Sequence, residues 1–493
     1  MRHVLAIDEG TTGATCLVVA DSGRVVGRGY REIPQHFPRP GWVEHDPADL
    51  VRCTLEAAGD ALRAAGVVVD AIGITNQRET VVMWDRATSE PLGRAIVWQD
   101  RRTSERCAEL AGHAPLIAAR TGLVLDPYFS ATKIEWMLRD PAVAARAARG
   151  ELAVGTVDSW LVWTLTGGAV HATEPTNASR TMLYDIGEKR WSEPLCAMFG
   201  VPQALLPEVR PSAGDFGTAR GALLGLDRDV PITGIAGDQQ AALFGQGCWR
   251  AGDTKNTYGT GAFLLLNTGS VRAEPGGGLL TTIASGASGG PAYALEGAIF
   301  IAGAAVQWLR DGLGIVGSAS ETEALAAGLP SNDGVYFVPA LVGLGAPHWE
   351  PEARGTIVGL TRGTQRAHLA RAALEAMAFG TADVLSLMRE RGGASFDRLR
   401  VDGGATTNAW LMQFQADVLG VPVERPDMIE TTALGAAGLA GIAAGVWPSA
   451  EDFLAKRKFT RWTPGDGQAD AAAATRGWQR AVRAALHWAR DPA

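Results

Sequence analysis

Apolar and polar positions fall into short alternating blocks over the first 33 residues. Residues 4–7 are apolar, Gly10-Thr11-Thr12-Gly13 is a turn, and residues 15–20 are a second run, apolar after Thr15. A second turn, Asp21-Ser22-Gly23, leads into residues 24–33. This pattern predicts a three-stranded antiparallel meander. From Asp46-Pro47 the period becomes helical and runs to Ala65, with Asp46 as the expected cap. The run Ala71-Ile72-Gly73-Ile74 predicts a buried strand. Beyond it, helices are expected over 102–110, 131–138 and 155–165. A meander followed by strand–helix alternation predicts an α/β chain with a mixed sheet and helices on its faces.

The pattern restarts in the second half. Residues 253–261 lead into an apolar run at 262–266, a Gly-Gly-Gly turn at 276–278, and helices over 302–309 and 367–391. Residues 396–401 predict a strand entering Asp402-Gly403-Gly404-Ala405, which opens a helix over 408–419. An alanine- and glycine-rich helix over 432–445 is expected to pack tightly. The 493-residue length calls for two domains, and the boundary is expected near 247–252. This gives domains 1–249 and 250–493.

Composition narrows the class. With 46% apolar and 20% charged residues, the chain reads as soluble and globular. A net charge of −8 argues against a nucleic-acid surface. Five scattered cysteines, none in a C-x-x-C pair, suit neither a disulfide framework nor a zinc site. The amino terminus lacks the pattern of a signal peptide. No uncharged apolar run approaches the roughly 20 residues that cross a bilayer. The expectation is a cytoplasmic protein with reduced thiols, neither bound to nucleic acid nor inserted in a membrane. Some of the 15 tryptophans are expected to line a site.

The candidate chemistry lies where strands end. Arg78 and Glu79 follow the 71–74 run, and a fork of donors beside a carboxylate suits neighbouring hydroxyls on a small polyol. Taken alone, such a pair also reads as a surface ion pair. Asp8-Glu9-Gly10-Thr11-Thr12-Gly13 and Tyr258-Gly259-Thr260-Gly261 place glycines and threonine hydroxyls where an anion can approach backbone N–H groups. Alone, each also reads as a hairpin turn. Asp8 is placed to hold Mg²⁺ through water. Neither a P-loop nor a protein-kinase signature occurs. Asp238, in Gly237-Asp238-Gln239-Gln240, is placed to take a proton from a hydroxyl, or else to begin a helix. Asn408 suits a ribose or base edge, or a helix start. Trp98 and Tyr128 offer aromatic faces to the CH side of a polyol.

In this order the motifs resemble the glycerol-kinase branch of the FGGY carbohydrate-kinase family, from Asp8 to about Trp478. The resemblance is carried by residues 40–47 (Pro-Gly-Trp-Val-Glu-His-Asp-Pro), 73–80, 96–98, 177–182 (Asn-Ala-Ser-Arg-Thr-Met), 234–245, 256–261 and 343–347. Two further family-diagnostic segments lie at 128–136 and 355–375. The resemblance implies two ribonuclease H-like (actin-like) ATPase domains flanking a nucleotide cleft. It implies ATP-dependent phosphorylation of glycerol to sn-glycerol 3-phosphate, with ATP and Mg²⁺. Arg78, Glu79, Tyr128, Asp238 and Gln239 would meet the polyol, Trp98 and Phe263 would form its apolar wall, and Asp238 would be the base. Thr11, Thr12, Gly259, Thr260, Gly303, Gln307, Gly404, Ala405 and Asn408 would bind the nucleotide. Asp8 and Asp238 would face the metal. A homo-oligomer, dimer or tetramer, is expected. A paralogue acting on another small polyol, or a weakly active nucleotide-binding sensor, is the alternative.

Departures from the family pattern are local. Glu9, Gly13, Ala14 and Thr15 stand where these kinases usually carry Gln, Ser, Ser and Arg. The first loop therefore lacks an arginine and gains a carboxylate. Alternation along a strand favours Glu9 directed away from the loop, bonded to a backbone N–H or a basic side chain. The other placement joins it to Asp8 on Mg²⁺. Residues 217–229 lack the Gly-Gly-Thr-Arg effector loop and contain no histidine.

Overall fold

The computed structural model describes residues 1–491. Two compact units are present. The first comprises Met1–Arg250, Thr281–Ala294 and Glu430–Arg457, and the second Ala251–Leu280, Leu295–Ile429 and Lys458–Ala493.

The meander forms as expected: β1 (His3–Glu9), β2 (Gly13–Ala20) and β3 (Val25–Glu32). Val4, Leu5, Ala6 and Ile7 are all fully buried, so β1 is covered on both faces. Helix α1 (Pro47–Ala65) starts where Asp46 accepts from the Ala48 N–H and stops at Gly66 with φ 60°. Its buried stripe of Leu50, Cys53, Thr54, Ala57, Ala61 and Leu62 recurs at helical spacing and lies on the sheet. The six-stranded sheet has the order Thr218–Ala219, Val230–Gly237, Ala71–Asn76, β1, β2, β3. Val230–Gly237, Ala71–Asn76 and β1 run parallel, with Asp8 opposite Thr75 and Gly237 opposite Asn76. Their carboxyl ends therefore converge on one edge of the first unit.

In the second unit, Ala262–Gly269 pairs antiparallel with Thr254–Tyr258. Leu399–Asp402 and Val423–Pro426 continue the sheet in parallel, and Phe459–Trp462 closes it antiparallel. Each unit is thus a hairpin extended by two parallel strands, with its glycine-threonine loop at the hairpin turn.

The helix Thr431–Ala443 belongs to the first unit within the segment Glu430–Arg457, although Leu295–Ile429 before that segment belongs to the second. Its small residues allow backbone contact. A Cβ at Gly73 would come within 2.2 Å of the Ala436 carbonyl oxygen, and one at Gly435 within 1.8 Å of that of Ala241. This helix braces both the strand before Arg78 and the helix Asp238–Gly245.

Three sequence expectations shift. Residues 155–165 are not one helix: Leu152–Thr156 is a strand, and the helix is Val157–Leu165. All five residues of that strand are buried, so an apolar run reads equally as strand or helix there. The strand expected over 396–401 is Leu399–Asp402. A carboxyl-terminal helix, Gln468–Arg490, forms in an alanine-rich stretch where none was read. Among the tryptophans, Trp84, Trp160 and Trp163 form a core cluster with His171.

Candidate functional site

The parallel strand ends gather the candidate residues of the first unit, the position where open α/β sheets bind ligands. Asp238 is the first residue of the helix Asp238–Gly245, and Oδ1 accepts from the Gln239 N–H at 2.7 Å. The same oxygen lies 3.0 Å from Arg78 Nε. The Asp238 side chain remains 32% exposed, against 2% for Arg78, so the carboxylate is held in place yet accessible. Arg78 also donates to Gln240 Oε1 at 3.2 Å. Gly237 is steric here: a Cβ would lie 2.7 Å from Arg78 Cγ.

Glu79 differs from the surface ion pair its sequence context allows. It is buried, with φ 65°, in the left-handed region that non-glycine residues rarely occupy. Its Oε1 accepts from Arg180 Nε at 2.7 Å and lies 3.9 Å from Arg78 Nε. Burial raises its pKa, and the charges of Arg180 and Arg78 oppose that shift. The Arg180 guanidinium lies 5.1 Å from the Phe129 ring centre and 5.7 Å from that of Tyr128. Sequence reading assigned Arg180 no role. Its one signal was its place in the 177–182 stretch.

Trp98 and Tyr128 meet edge to face with centroids 5.5 Å apart. Trp98 Nε1 donates to Thr11 Oγ1 at 2.8 Å, which ties the aromatic pair to the first glycine-threonine loop. Behind them is a second residue the sequence reading passed over. Lys133 is fully buried, and Nζ donates to the Tyr128 carbonyl at 2.8 Å and to the Trp98 carbonyl at 3.4 Å. Burial pushes its ammonium down to about 7, with Glu79, Asp100 and Asp126 holding against that and Arg101 adding to it.

In the first loop, the Gly10 N–H bonds the Gly13 carbonyl at 3.1 Å. Gln77 Nε2 donates to the Gly10 carbonyl at 3.2 Å, joining loop and strand end. Asp8 is pushed up to about 7, first by burial and then by the charge of Asp238. Two carboxyl groups that repel across a half-open site fit a divalent cation between them. Among the described residues no cluster of three or more His, Cys, Asp or Glu forms a protein cage. That donor set suits Mg²⁺, which keeps several waters and takes one or two carboxylates plus phosphate oxygens.

Glu9 points to the other face of the sheet. It is fully buried, and Oε2 accepts from Thr54 Oγ1 of α1 at 2.6 Å. It is directed away from the loop, as strand alternation favours. Its partner is a hydroxyl, however, rather than a backbone N–H or a basic side chain. Burial raises its carboxyl well above the usual range. Burial therefore favours its neutral form, and its side chain is turned from the loop.

In the second unit, the Gly259 N–H bonds the Gly261 carbonyl at 2.8 Å. The helix Gly303–Gln307 starts against this loop: Gly303 donates to the Gly259 carbonyl at 3.0 Å and Ala304 to that of Thr260 at 3.1 Å. Thr260 and Gln307 are exposed, and Phe263 is half-buried. Gly403, with φ 89°, lets the chain cross Tyr258: a Cβ there would lie 2.2 Å from the Tyr258 carbonyl oxygen. Gly404 is open, and Ala405 follows it in a single 3₁₀ turn. Asn408 caps the helix Ala409–Leu419, with Oδ1 accepting from the Leu411 N–H at 2.9 Å. Its amide lies 3.4 Å from Thr322 Oγ1, so both ends of the side chain have structural partners.

Known proteins share this arrangement. Residues 3–245 match the amino-terminal domain, and residues 254–444 the carboxy-terminal domain, of the FGGY family of carbohydrate kinases. The chain is 53% identical over 495 residues to a glycerol kinase of Dechloromonas aromatica (strain RCB), covering 99% of this chain and 98% of that protein. The crystal structure of Plasmodium falciparum glycerol kinase with ADP superposes with a TM-score of 0.93 at 35% identity, covering 99% of this chain and 98% of that one. A xylulose kinase from Rhodospirillum rubrum gives 0.88 at 26% identity, with 99% of each chain covered. Among the described residues no helix is long and apolar enough to cross a membrane. The paired α/β units are the actin-like ATPase domains that the resemblance implied, and the chain belongs to the FGGY family of carbohydrate kinases.

Proposed function

We propose that this kinase transfers the γ-phosphoryl group of ATP to a terminal hydroxyl of glycerol. The observation that carries the reading is the Asp238 carboxylate, fixed by Arg78 Nε at 3.0 Å and by a helix amino terminus yet left accessible. Relatives named glycerol kinase at 53% identity over nearly the whole chain support the acceptor.

In this reading Asp238 accepts the proton of the hydroxyl as its oxygen bonds to the γ-phosphorus. The bond to the β–γ bridging oxygen breaks, and ADP leaves with that electron pair. Phosphoryl transfer rests on positioning and on stabilising oxygen charge. Arg78 orients Asp238, and Glu79, fixed by Arg180, accepts from an acceptor hydroxyl. Trp98 and Tyr128 cover the CH face. In the first unit, Thr11 and Thr12 are assigned to the phosphates of the nucleotide. Asp8 and Asp238 are the residues that would hold Mg²⁺, which when bound neutralises phosphate charge.

A coupled assay of ADP release over a panel of polyols tests this. Glycerol is expected first, dihydroxyacetone weaker, and pentitols and hexoses poor. A four- or five-carbon polyol in first place would move the chain to another acceptor. ADP release that glycerol does not stimulate would overturn the reading.

A further inference from the structure

Strand register places a third residue beside Asp8 that no motif signals. Asp8 on β1 is opposite Thr15 on β2, and Thr15 is opposite Tyr30 on β3. Directly opposed residues project to the same face of a sheet. The neighbouring row, Glu9, Ala14 and Arg31, faces α1, where Glu9 meets Thr54 and Arg31 meets Glu56 and Asp60. Asp8, Thr15 and Tyr30 therefore line the other face, next to the first glycine-threonine loop.

The Tyr30 ring tip lies on that loop. A Cβ at Gly13 would come within 2.5 Å of Tyr30 Cε2 and 2.6 Å of its hydroxyl oxygen. Gly13 does not have a positive φ, so the turn itself does not demand glycine. The missing side chain makes room for the phenol. Tyr30 is 47% exposed, and its hydroxyl makes no hydrogen bond among the described residues. Among the described residues, the backbone N–H groups of Thr11 and Thr12 likewise bond no backbone acceptor. Arg31, the nearest cation in sequence, is turned away and engaged by two carboxylates. The donors left to an anion at this loop are two amides, the threonine hydroxyls and one phenol.

We propose that Tyr30 donates its hydroxyl to the phosphate chain of the nucleotide, as a binding residue of the first loop. A phenol suits this place because it adds a donor on a stiff side chain. It also adds no charge next to Asp8. The proposal rests on the kinase reading above, but it is tested by binding, not by turnover on glycerol.

The test is calorimetric titration of the full-length protein with MgATP, and separately with glycerol. Tyr30→Phe keeps the ring over Gly13 and removes only the hydroxyl. It is expected to weaken MgATP about tenfold, the scale of a lost hydrogen bond to a charged group, and to leave glycerol affinity within twofold. Gly13→Ser is expected to displace the ring and weaken MgATP by a similar factor. Equal MgATP affinity in Tyr30→Phe and wild type overturns the proposal. So does weakening by Gly13→Ser alone, because then the hydroxyl contributes nothing. Failure of the wild-type protein to bind MgATP at all would instead overturn the kinase reading.

Discussion

Asp8 and Glu9 are adjacent carboxylic acids at the end of one strand, and the fold uses them in opposite ways. Asp8 is half-buried on the open face, near Asp238, and its carboxyl is pushed up to about 7. Glu9 is sealed against α1 and accepts from Thr54, and burial raises its carboxyl well above the usual range. A one-residue step along a strand reverses the side chain, and here it separates a group poised to carry charge from one that must not. The difference teaches that charge counted along a loop is not charge presented to a ligand. The extra carboxylate in the first loop looks repulsive to phosphate in sequence, yet it belongs to the core.

The largest expected effect concerns the group Asp8 faces. Asp238→Asn keeps the hydrogen bond from the Gln239 N–H but removes the base. Turnover should fall by about 10²–10⁴-fold, with glycerol affinity retained by calorimetry. Near-wild-type turnover would remove Asp238 from the chemistry and leave Asp8 without its reason for being open.

Asp8→Asn comes next. If Asp8 holds Mg²⁺ through water, the Mg²⁺ requirement should rise about 10- to 100-fold, the usual cost of losing such a partner. Stability should move the other way. The folded pKa of Asp8 is raised from 3.8 to about 7, so the folded state binds more protons and wild-type stability falls as pH rises across that window. Asp8→Asn lacks that loss. Its melting temperature should gain on wild type from about pH 4 to about pH 7 and then hold a constant lead. A flat difference across this range would show that Asp8 is not under charge stress.

Lys133→Met separates positioning from chemistry. It leaves the buried carbonyls of Tyr128 and Trp98 without their ammonium, at a cost of about 1–3 kcal/mol for an unsatisfied group. The glycerol KM should rise about tenfold, with the KM for ATP unchanged. Lys133→Gln, which keeps two donors, should recover part of the loss. A fall in kcat with both KM values unchanged would mean that Lys133 does not act through the aromatic pair.

Much of the fold was legible where local signals are strong. Asp46-Pro47 marked the start of α1, and turn residues marked the meander. The helix Gln468–Arg490, whose buried face is Ala471, Trp478, Ala481, Val482 and Ala485, was missed because no side-chain cap marks its start at Gly467. The shared plan of the two sheets left no readable repeat, since strand order constrains polarity and not identity. At the site, Arg78 and Glu79 were visible as a pair. Arg180, which fixes Glu79, lies 101 residues away in sequence, so no local pattern links them. Tyr30 was invisible for the same reason: only the register of β2 and β3 carries it to Gly13.

The smallest expected effect is the sharpest check on the comparison. Glu9→Gln replaces a buried carboxyl with a neutral amide of nearly the same shape, and its oxygen can still accept from Thr54. Because the group never faces the nucleotide, the Mg²⁺ requirement should not change. The KM for ATP should shift by less than about fivefold, well inside the cost of losing a direct charged hydrogen bond. The stability signature should still resemble that of Asp8→Asn in sign. A carboxyl raised in the folded state destabilises the wild type progressively as pH climbs above the ordinary glutamate range near 4.5. Glu9→Gln should therefore gain on wild type as pH rises above that range, as Asp8→Asn does. Two neighbouring substitutions would then relieve the same kind of stress, and only one would disturb the metal. A marked rise in the Mg²⁺ requirement of Glu9→Gln would place Glu9 on the nucleotide face and break the distinction between the two faces of the strand.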